Sequence, residues 1–389
     1  MSEARTVGSD GERDVRVTAT PGGKLAVEVV VENRELLERG IREVVEETLT
    51  TLKVKSGTYR VEDNGALDFV IVARLEVAAR AIDPKIAPLS PRVVDRPAAA
   101  RDRPRRSRLY APGNTPRFLL GIELYGEDAV LLDLEDAVPP AEKEAARTLV
   151  KHLLAAVDLP EAWVRVNPLD LGGKDDLAEV LRGRPNGICL PKAEGARDVQ
   201  ALSALLAKLE KELGLPVGST LVMPILETAK GVLHAEEIAG SDPRVAVLAF
   251  GAEDYTRDVG ARRTTEALLF ARSMVVAGAK ASGVQASDTV YANVDDEAGL
   301  VCESKLARDL GFDGKGAINP RQIAPIHSVF SPSPAEVEEA RKVVAAAEEA
   351  EARGVGAITV GGKMVDRPVL ERARRTLRLA GRLSLEGRR

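Results

Sequence analysis

The chain has 389 residues, of which 44% are hydrophobic but only 3% aromatic, so its core must be mainly aliphatic, as in an α/β protein. Its 55 Lys and Arg nearly balance its 60 Asp and Glu, which excludes the basic surface of a nucleic-acid-binding protein, and 2 cysteines are too few for a disulfide scaffold. The first residues are polar and no apolar run approaches the roughly 20 residues that span a bilayer, so we expect a cytoplasmic protein that binds no membrane.

Residues 1–83 predict a small α+β domain. Two segments, 15–19 and 25–29, alternate apolar and polar residues around the turn Pro21-Gly22-Gly23, which predicts a β-hairpin. From Arg34 the apolar residues follow a helical period. The domain holds no His, no Cys and no cluster of reactive side chains, which is typical of a binding or carrier module rather than a catalyst.

Residues 84–104 predict a linker rich in Pro and Arg. The segment has 5 prolines and neither a helical nor a strand period, as expected of a semi-rigid, extended spacer. The arginines at 101, 103, 105 and 106 could form a basic ligand patch, but we interpret them as solvated.

Residues 105–389 alternate strand-like and helical segments, which predicts a (β/α)8 TIM barrel with a C-terminal helical tail. A doubly wound sheet is the alternative, because a strand count from sequence is uncertain. The candidate strands are 108–111, 129–134, 163–167, 187–191, 220–226, 245–251, 288–292 and 316–319.

Polar side chains collect where these strands end, which is the edge at which barrels build active sites. Glu227 and Asp254 follow neighbouring strands, and Mg²⁺ favours carboxylate oxygens completed by waters or substrate oxygens. We therefore predict a magnesium site, against the alternative that these acids are solvated or cap helices. The other candidates at these ends are Pro112, Gly113, Glu135, Asp136, Arg165, Asn167, Lys192 and Asn319.

This set suits chemistry on a multiply anionic carbon acid. A metal can polarise a carbonyl as a Lewis acid, and Arg165 can pair with a carboxylate or stabilise an oxyanion. Lys192 supplies a positive charge, which we prefer to a Schiff-base role because a metal site makes an iminium unnecessary.

Collinear motifs from Arg105 to the C-terminal tail resemble those of citrate lyase β subunits, in the HpcH/HpaI aldolase and citrate lyase superfamily. Among them are Leu132-Asp133-Leu134-Glu135-Asp136, Val164-Arg165-Val166-Asn167, Leu190-Pro191-Lys192, Gly251-Ala252-Glu253-Asp254-Tyr255, Asn319-Pro320-Arg321 and Gly362-Lys363-Met364-Val365-Asp366.

The resemblance implies a Mg²⁺-dependent retro-Claisen lyase on a TIM barrel. It gives Glu227 and Asp254 as metal ligands, and Arg165 as the residue that meets the thioester or enolate oxygen. Glu135 and Asp136 match an acidic pair that acts near the metal through water. Asp366 matches an acid that related lyases lend to a neighbouring subunit, which implies a homo-oligomer, typically a trimer.

Residues 7–82 resemble the γ subunit of citrate lyase, an acyl carrier protein, best at Asp63-Asn64-Gly65-Ala66-Leu67-Asp68. The family's carrier bears a phosphoribosyl-dephospho-CoA arm on a serine. A gapless alignment places Glu12 at that serine, and Ser9 would serve only if the loop shifts. The resemblance therefore leaves a carrier role and a docking role open.

Three functions are compatible with these observations. The first is cleavage of a citryl thioester to oxaloacetate and an acetyl thioester. The second is the same reaction on malyl-CoA, citramalyl-CoA or another β-hydroxyacyl-CoA. The third is a carrier or scaffold component of a citrate lyase complex, with a transferase (α) subunit as partner.

Overall fold

The computed structural model describes residues 3–31, 35–94, 100–352, 358–361 and 363–386. Arg34, part of the predicted linker (95–99) and Gly362 lie outside these ranges. The strands are β1 (Arg5–Val7), β2 (Val15–Thr20), β3 (Ala26–Val31), β4 (Thr58–Asp63), β5 (Ser107–Pro112), β6 (Ala129–Asp133), β7 (Ala162–Arg165), β8 (Gly187–Leu190), β9 (Leu221–Leu226), β10 (Val247–Phe250), β11 (Gln285–Asp288), β12 (Gly314–Ala317), β13 (Ile358–Val360) and β14 (Lys363–Val365). The helices are α1 (Glu35–Thr51), α2 (Asp68–Ile82), α3 (Pro116–Leu119), α4 (Lys143–Ala156), α5 (Lys174–Val180), α6 (Ala196–Glu212), α7 (Ala229–Leu233), α8 (Ala235–Ala239), α9 (Ala252–Val259), α10 (Thr265–Ala281), α11 (Glu297–Leu310), α12 (Ile323–Phe330), α13 (Pro334–Ala352) and α14 (Arg367–Glu386).

Strands β5 to β12 form a closed parallel barrel, in which β12 pairs with β5. The predicted TIM barrel is confirmed, and the doubly wound alternative is wrong. The last two strands begin earlier than predicted, at Gln285 and Gly314. Both are short and polar, Gln-Ala-Ser-Asp and Gly-Lys-Gly-Ala, so they lack the apolar run by which the other strands were recognised.

The small domain has a sheet in the order β1-β2-β4-β3, with α1 and α2 packed against it. The predicted hairpin between β2 and β3 is wrong, because β4 lies between them, antiparallel to β2 and parallel to β3. Helix α1 makes the crossover that a parallel pair requires. The alternation predicted both strands correctly, but it carries no information on which strands are neighbours.

The small domain is fixed to its own barrel by a fully buried ion cluster between α2 and α4. Lys151 Nζ donates to both oxygens of Glu76, at 2.7 and 2.8 Å, and to Glu179 at 2.6 Å. His152 lies 2.6 Å from the same Glu76 carboxylate. Glu76 and Lys151 are both 0% exposed, so this interface is as dry as a domain core. We call it the interface cluster.

The arginines of the linker region bind the barrel, and the expectation that they are solvated was wrong for all but Arg101, which is exposed. Arg101 donates to the carbonyls of Pro243 and Val245, at 2.7 and 2.8 Å. Arg103 donates to the carbonyl of Pro160, and Arg105 binds Glu161 through two hydrogen bonds at 2.7 and 2.8 Å. Backbone carbonyls and the Glu161 carboxylate at the amino-terminal end of the barrel bind these guanidinium groups, which sequence alone does not reveal.

After the barrel, α13 and α14 pack on each other beside the small β13–β14 sheet. Arg375 of α14 reaches Asp313 at 2.8 Å, near the start of β12, so the tail lies at the amino-terminal end of the barrel. None of the described helices is both long and apolar enough to cross a bilayer.

Candidate active site

The carboxyl ends of the barrel strands surround a cavity of about 370 Å³, which we call the mouth. It is lined by Arg165 at the end of β7, Glu227 after β9 and Asp254 in the first turn of α9. Pro112 and Asp136 also line it. The fold therefore brings together five of the predicted residues from segments far apart in the chain.

Arg165 is held by carboxylates on two sides. Its Nε and Nη2 donate to Asp133 at 2.7 and 2.6 Å, and its Nη1 lies 3.0 Å from Glu135 Oε2. Although burial opposes it, the hydrogen bonds to Asp133 raise the pKa of Arg165 above its usual value. A bidentate pair also fixes the plane of the guanidinium, so Arg165 faces the mouth as a pre-positioned cation.

Glu227 is the most unusual acid of the mouth. It is 3% exposed and, in the described part of the chain, has no Lys or Arg side-chain nitrogen within 4 Å. Burial, together with the nearby Glu135 and Asp254, raises its pKa to about 8. Gly251 makes room for it, since a Cβ there would lie 2.7 Å from Glu227 Oε2. Such a carboxylate is one that a bound cation would stabilise.

Lys192 binds two of these acids with different groups. Its backbone N–H donates to Glu227 Oε1 at 2.8 Å, while its Nζ donates to Glu135 at 2.5 Å. The backbone is left-handed, with φ of 52°, which costs a non-glycine residue about 1 kcal/mol or more. Although burial alone would lower it, the bond to Glu135 raises the pKa of Lys192. The strained backbone thus directs an N–H group at Glu227.

The mouth holds more negative than positive charge. Of five carboxyl groups in or behind the mouth, four make ion pairs in the described structure, with three cations in all; these are Asp133, Glu135, Asp136 and Asp254, whereas Glu227 makes none. Glu253, which also lines the mouth, is balanced separately by Arg263. The three cations are Arg165, Lys192 and the exposed Arg257, which lies 2.6 Å from Asp254. This group of side chains is short of two positive charges, five minus three, which one divalent cation would supply; the buried Arg108 beneath the mouth makes no ion pair with them. The described residues include no group of three or more His, Cys, Asp or Glu side chains that could enclose a metal, but Mg²⁺ usually takes only one or two carboxylates.

Besides Glu135 and Lys192, which contact Arg165 and Glu227 from behind, four predicted residues do not line the mouth. Asn167 donates both to the carbonyl of Leu134 at 3.0 Å and to Asp176 at 2.7 Å, so it holds the chain that carries Glu135. Gly113 packs tightly, since a Cβ there would lie 2.9 Å from the carbonyl oxygen of Asp133. Asn319 accepts a hydrogen bond from the backbone of Arg321 at 3.0 Å, next to Ile318, which does line the mouth.

The fourth, Asp366, is exposed, and its carboxylate accepts a hydrogen bond from the backbone of Val369 at 3.1 Å, at the start of α14. In this single chain it is not part of the mouth.

Ser9 and Glu12 line a second cavity, of about 780 Å³, between the small domain and the barrel. The opposite side of this cavity is formed by residues 114–117, which follow β5. Pro112, at the end of β5 and only two residues earlier, lines the mouth. Ser9 Oγ donates to Asp14 at 2.9 Å, and Asp14 is held by Arg74 at 3.0 Å. The loop that aligns with the carrier's attachment site therefore faces the chain's own barrel.

Sequence analysis missed three mouth residues as candidates: Tyr110, Asp133 and Thr289. Tyr110 lies in the middle of β5, so a search of strand ends does not find it. Asp133 was noticed as a strand end, but only the structure shows that it holds Arg165. Thr289 follows a strand whose end was misplaced.

Comparison with known proteins gives two family matches. Residues 106–320 match the profile of the HpcH/HpaI aldolase/citrate lyase family, and residues 2–82 match that of the malonate decarboxylase delta subunit, among acyl carrier proteins.

Individual relatives agree with the first match. The citrate lyase subunit beta of Leuconostoc mesenteroides subsp. cremoris is 43% identical over 72% of this chain and 94% of that protein. A (3S)-malyl-CoA thioesterase of Cereibacter sphaeroides is 38% identical over 70% of this chain and 94% of that protein. The crystal structure of CitE from Mycobacterium tuberculosis, in complex with magnesium, acetoacetate and coenzyme A, has a TM-score of 0.59 and 31% identity, and covers 72% of this chain and 100% of that one.

Proposed function

The chain belongs to the HpcH/HpaI aldolase/citrate lyase family and is a carbon–carbon lyase, and from this premise we propose that it cleaves a citryl thioester to oxaloacetate and an acetyl thioester. The observation that carries the proposal is the deficit of two positive charges around Glu227, beside the pre-positioned Arg165. A keto acid chelated by a divalent cation would complete this arrangement.

Glu227 and Asp254 would hold Mg²⁺, and their fit rests on the burial of Glu227 and on its lack of an ion-pair partner in the described structure. When bound, the metal would polarise the keto acid's carbonyl as a Lewis acid. Magnesium in the mycobacterial complex supports the choice of ion. The N–H of Lys192 and the carboxylate of Glu135 would keep Glu227 and Arg165 oriented through their present contacts.

In the retro-Claisen direction the substrate hydroxyl would lose its proton to a carboxylate beside the metal site, the carbon–carbon bond would break to leave the keto group, and the electron pair would pass to the thioester as an enolate. Arg165 would stabilise this oxyanion, because its guanidinium already faces the mouth in a fixed plane. Glu135 and Asp136 would act near the metal, directly or through water. The enolate carbon then takes a proton, for which Asp366 of a neighbouring subunit in a homo-oligomer is our candidate.

For the small domain we propose a fixed role instead of that of a swinging carrier. The interface cluster supports this, because a carrier that leaves its barrel would have to expose Glu76 and Lys151. Glu12 at the aligned serine supports it too, since a carboxylate cannot carry a phosphodiester-linked arm. The substrate would then be a free CoA ester, and modification of Ser9, with a transferase subunit as partner, is the alternative.

The test is to mix the purified chain with Mg²⁺ and citryl-CoA and to follow oxaloacetate through malate dehydrogenase. We expect oxaloacetate release that EDTA abolishes. Malyl-CoA and citramalyl-CoA are assayed in parallel for glyoxylate and pyruvate, because a relative that is 38% identical to this chain acts on malyl-CoA, although as a thioesterase. Release of either product without oxaloacetate would exclude citrate as the acid. Intact mass after expression with arm-attaching enzymes separately tests Ser9.

A further inference from the structure

Strand β5 places two polar side chains inside the barrel, beneath the mouth. Alternate residues of a barrel strand point inward, and Leu109 and Ala111 belong to the outer core between barrel and helices. Arg108 and Tyr110 therefore point inward. Arg108 is 5% exposed, and its Nη1 lies 3.2 Å from the sulfur of Met223, whereas Tyr110 lines the mouth.

Arg108 differs from the other buried arginines of the described structure in having no carboxylate partner. Its Nη2 donates to the Tyr110 hydroxyl at 3.4 Å, and its Nε has no partner. By contrast, Arg74, Arg105, Arg244 and Arg272 each bind a carboxylate. A buried charge without an opposite charge is costly, so this position would not hold an arginine for stability alone.

Tyr110 lies between two cations and has a hydrogen-bond donor to spare. Its ring centre is 5.5 Å from the guanidinium carbon of Arg108 and 5.8 Å from that of Arg165. Gly316 makes room for the ring, since a Cβ there would lie 3.3 Å from Tyr110 Cε2. A guanidinium can only donate, so the phenol oxygen accepts from Arg108. The phenol proton has no acceptor among the described residues, so a ligand in the mouth can accept it.

The rest of the mouth would repel a further carboxylate. Arg165 is occupied by Asp133 and Glu135, and Lys192 by Glu135, while Glu227 and Asp254 are negative. Among the described residues, the positive charge of Arg108, on the side formed by β5, has no carboxylate partner. A substrate carboxylate that does not bind the metal is therefore most stable against Tyr110.

We propose that Tyr110 donates a hydrogen bond to the second carboxylate of the keto-acid half of the substrate, and that Arg108 positions Tyr110 and supplies the attracting charge. The inference rests on the proposed function and narrows its substrate class. It selects hydroxyacyl thioesters that yield a dicarboxylic keto acid, such as oxaloacetate, over those that yield pyruvate or glyoxylate. Citryl and citramalyl thioesters differ in this group alone, a CH2COO⁻ against a methyl.

The test compares Y110F with wild type on citryl-CoA and citramalyl-CoA. We expect kcat/KM for citryl-CoA to fall about 10- to 100-fold, mainly through KM, as for loss of a hydrogen bond to a charged group, while citramalyl-CoA changes little. R108M exchanges the cation for an unbranched apolar side chain. It should lower the ratio of kcat/KM for citryl-CoA to kcat/KM for citramalyl-CoA, as Y110F does. Y125F, which changes an exposed tyrosine, is the matched control and should leave kcat/KM for both substrates unchanged.

If Tyr110 had a merely structural role, Y110F would lower kcat/KM equally for both substrates, and that result would overturn the inference. So would unchanged selectivity in Y110F, or a wild type that prefers citramalyl-CoA. Calorimetric titration with oxaloacetate and pyruvate gives a readout independent of turnover. Preferential binding of oxaloacetate that Y110F loses would support the inference even if citryl-CoA were not cleaved, and equal binding of both acids by wild type would contradict it.

Discussion

Two clusters of charge in this chain have opposite designs. In the interface cluster, Lys151 donates to both Glu76 and Glu179, and the neighbouring Arg80 lies 3.3 Å from Glu179, so each carboxylate has a cation partner. In the mouth, the five carboxylates leave two positive charges missing, and Glu227 has no ion-pair partner in the described structure.

The pKa shifts follow this difference. Although burial alone would raise it, the hydrogen bond from His152 and the charge of Lys151 lower the pKa of Glu76. Burial and two neighbouring carboxylates raise that of Glu227 to about 8. A cluster in which every charge has a partner, which we call saturated, stabilises a fold, whereas an unsaturated cluster can bind a ligand. The number of partners per charged group therefore distinguishes the two kinds of cluster better than the number of charges does.

The largest expected effect breaks the saturated cluster. K151M would leave Glu76 buried without its main partner, which should lower the free energy of unfolding by about 3–5 kcal/mol. Urea denaturation followed by circular dichroism measures it. K208M, which removes an exposed pair on α6, is the control and should change stability by about 0.5 kcal/mol or less. If both variants behave alike, the interface cluster does not hold the domains together.

The unsaturated cluster should respond in the opposite way to loss of a charge. In E227Q the metal-dependent turnover should fall well over 100-fold, since even residues that support a ligand typically cost about 10–100-fold. Without metal, however, E227Q should be at least as stable as wild type, because a surplus buried carboxylate is gone.

Turnover assays and thermal unfolding in EDTA check these two expectations, and Mg²⁺ titration calorimetry measures whether E227Q still binds the metal. E212Q, on the exposed face of α6, is the matched control. Normal activation of E227Q by Mg²⁺ would remove Glu227 from the metal site. If E227Q were strongly destabilised without metal, Glu227 would stabilise the fold, as the charged groups of the interface cluster do.

A smaller effect concerns the loss of stability in acid. It tests a neutral, partly buried group, His327, for comparison with the two charged clusters. Burial lowers the pKa of His327 to about 4, and its Nε2 lies 2.7 Å from Ser107 Oγ. Since the unfolded pKa is about 6.5, the unfolded chain binds the proton first, so stability should fall by up to about 3 kcal/mol as pH drops from about 6.5 to 4. H327N should flatten this dependence, and H234N should not. A slope unchanged in H327N would assign acid sensitivity to other groups, such as His152, whose pKa burial also lowers.

The sequence was sufficient for the barrel, because its apolar strands and amphipathic helices alternate in a way that few folds allow. It was also sufficient for Arg165, Glu227 and Asp254 as neighbours, because the carboxyl ends of parallel strands converge. It was not sufficient for Asp133, Arg108 or Tyr110, whose importance depends on which partner each side chain has or lacks. Pairing within the small sheet was missed for the same reason, since alternation marks a strand's faces and not its neighbours.

The interface cluster also bears on how readily the two parts of this chain could separate during evolution. Two of the three hydrogen bonds made by Lys151 Nζ run to Glu76, across the boundary between the small domain and the barrel. A fission of the gene would leave an ammonium group and the apolar face of α4 uncovered in one product, and a bare carboxylate in the other. Each product would need several simultaneous replacements to stay folded. Fusion is therefore much easier to acquire than to lose. Even an inherited carrier domain that no longer carries an acyl group would be retained, because it covers a buried face of the barrel domain.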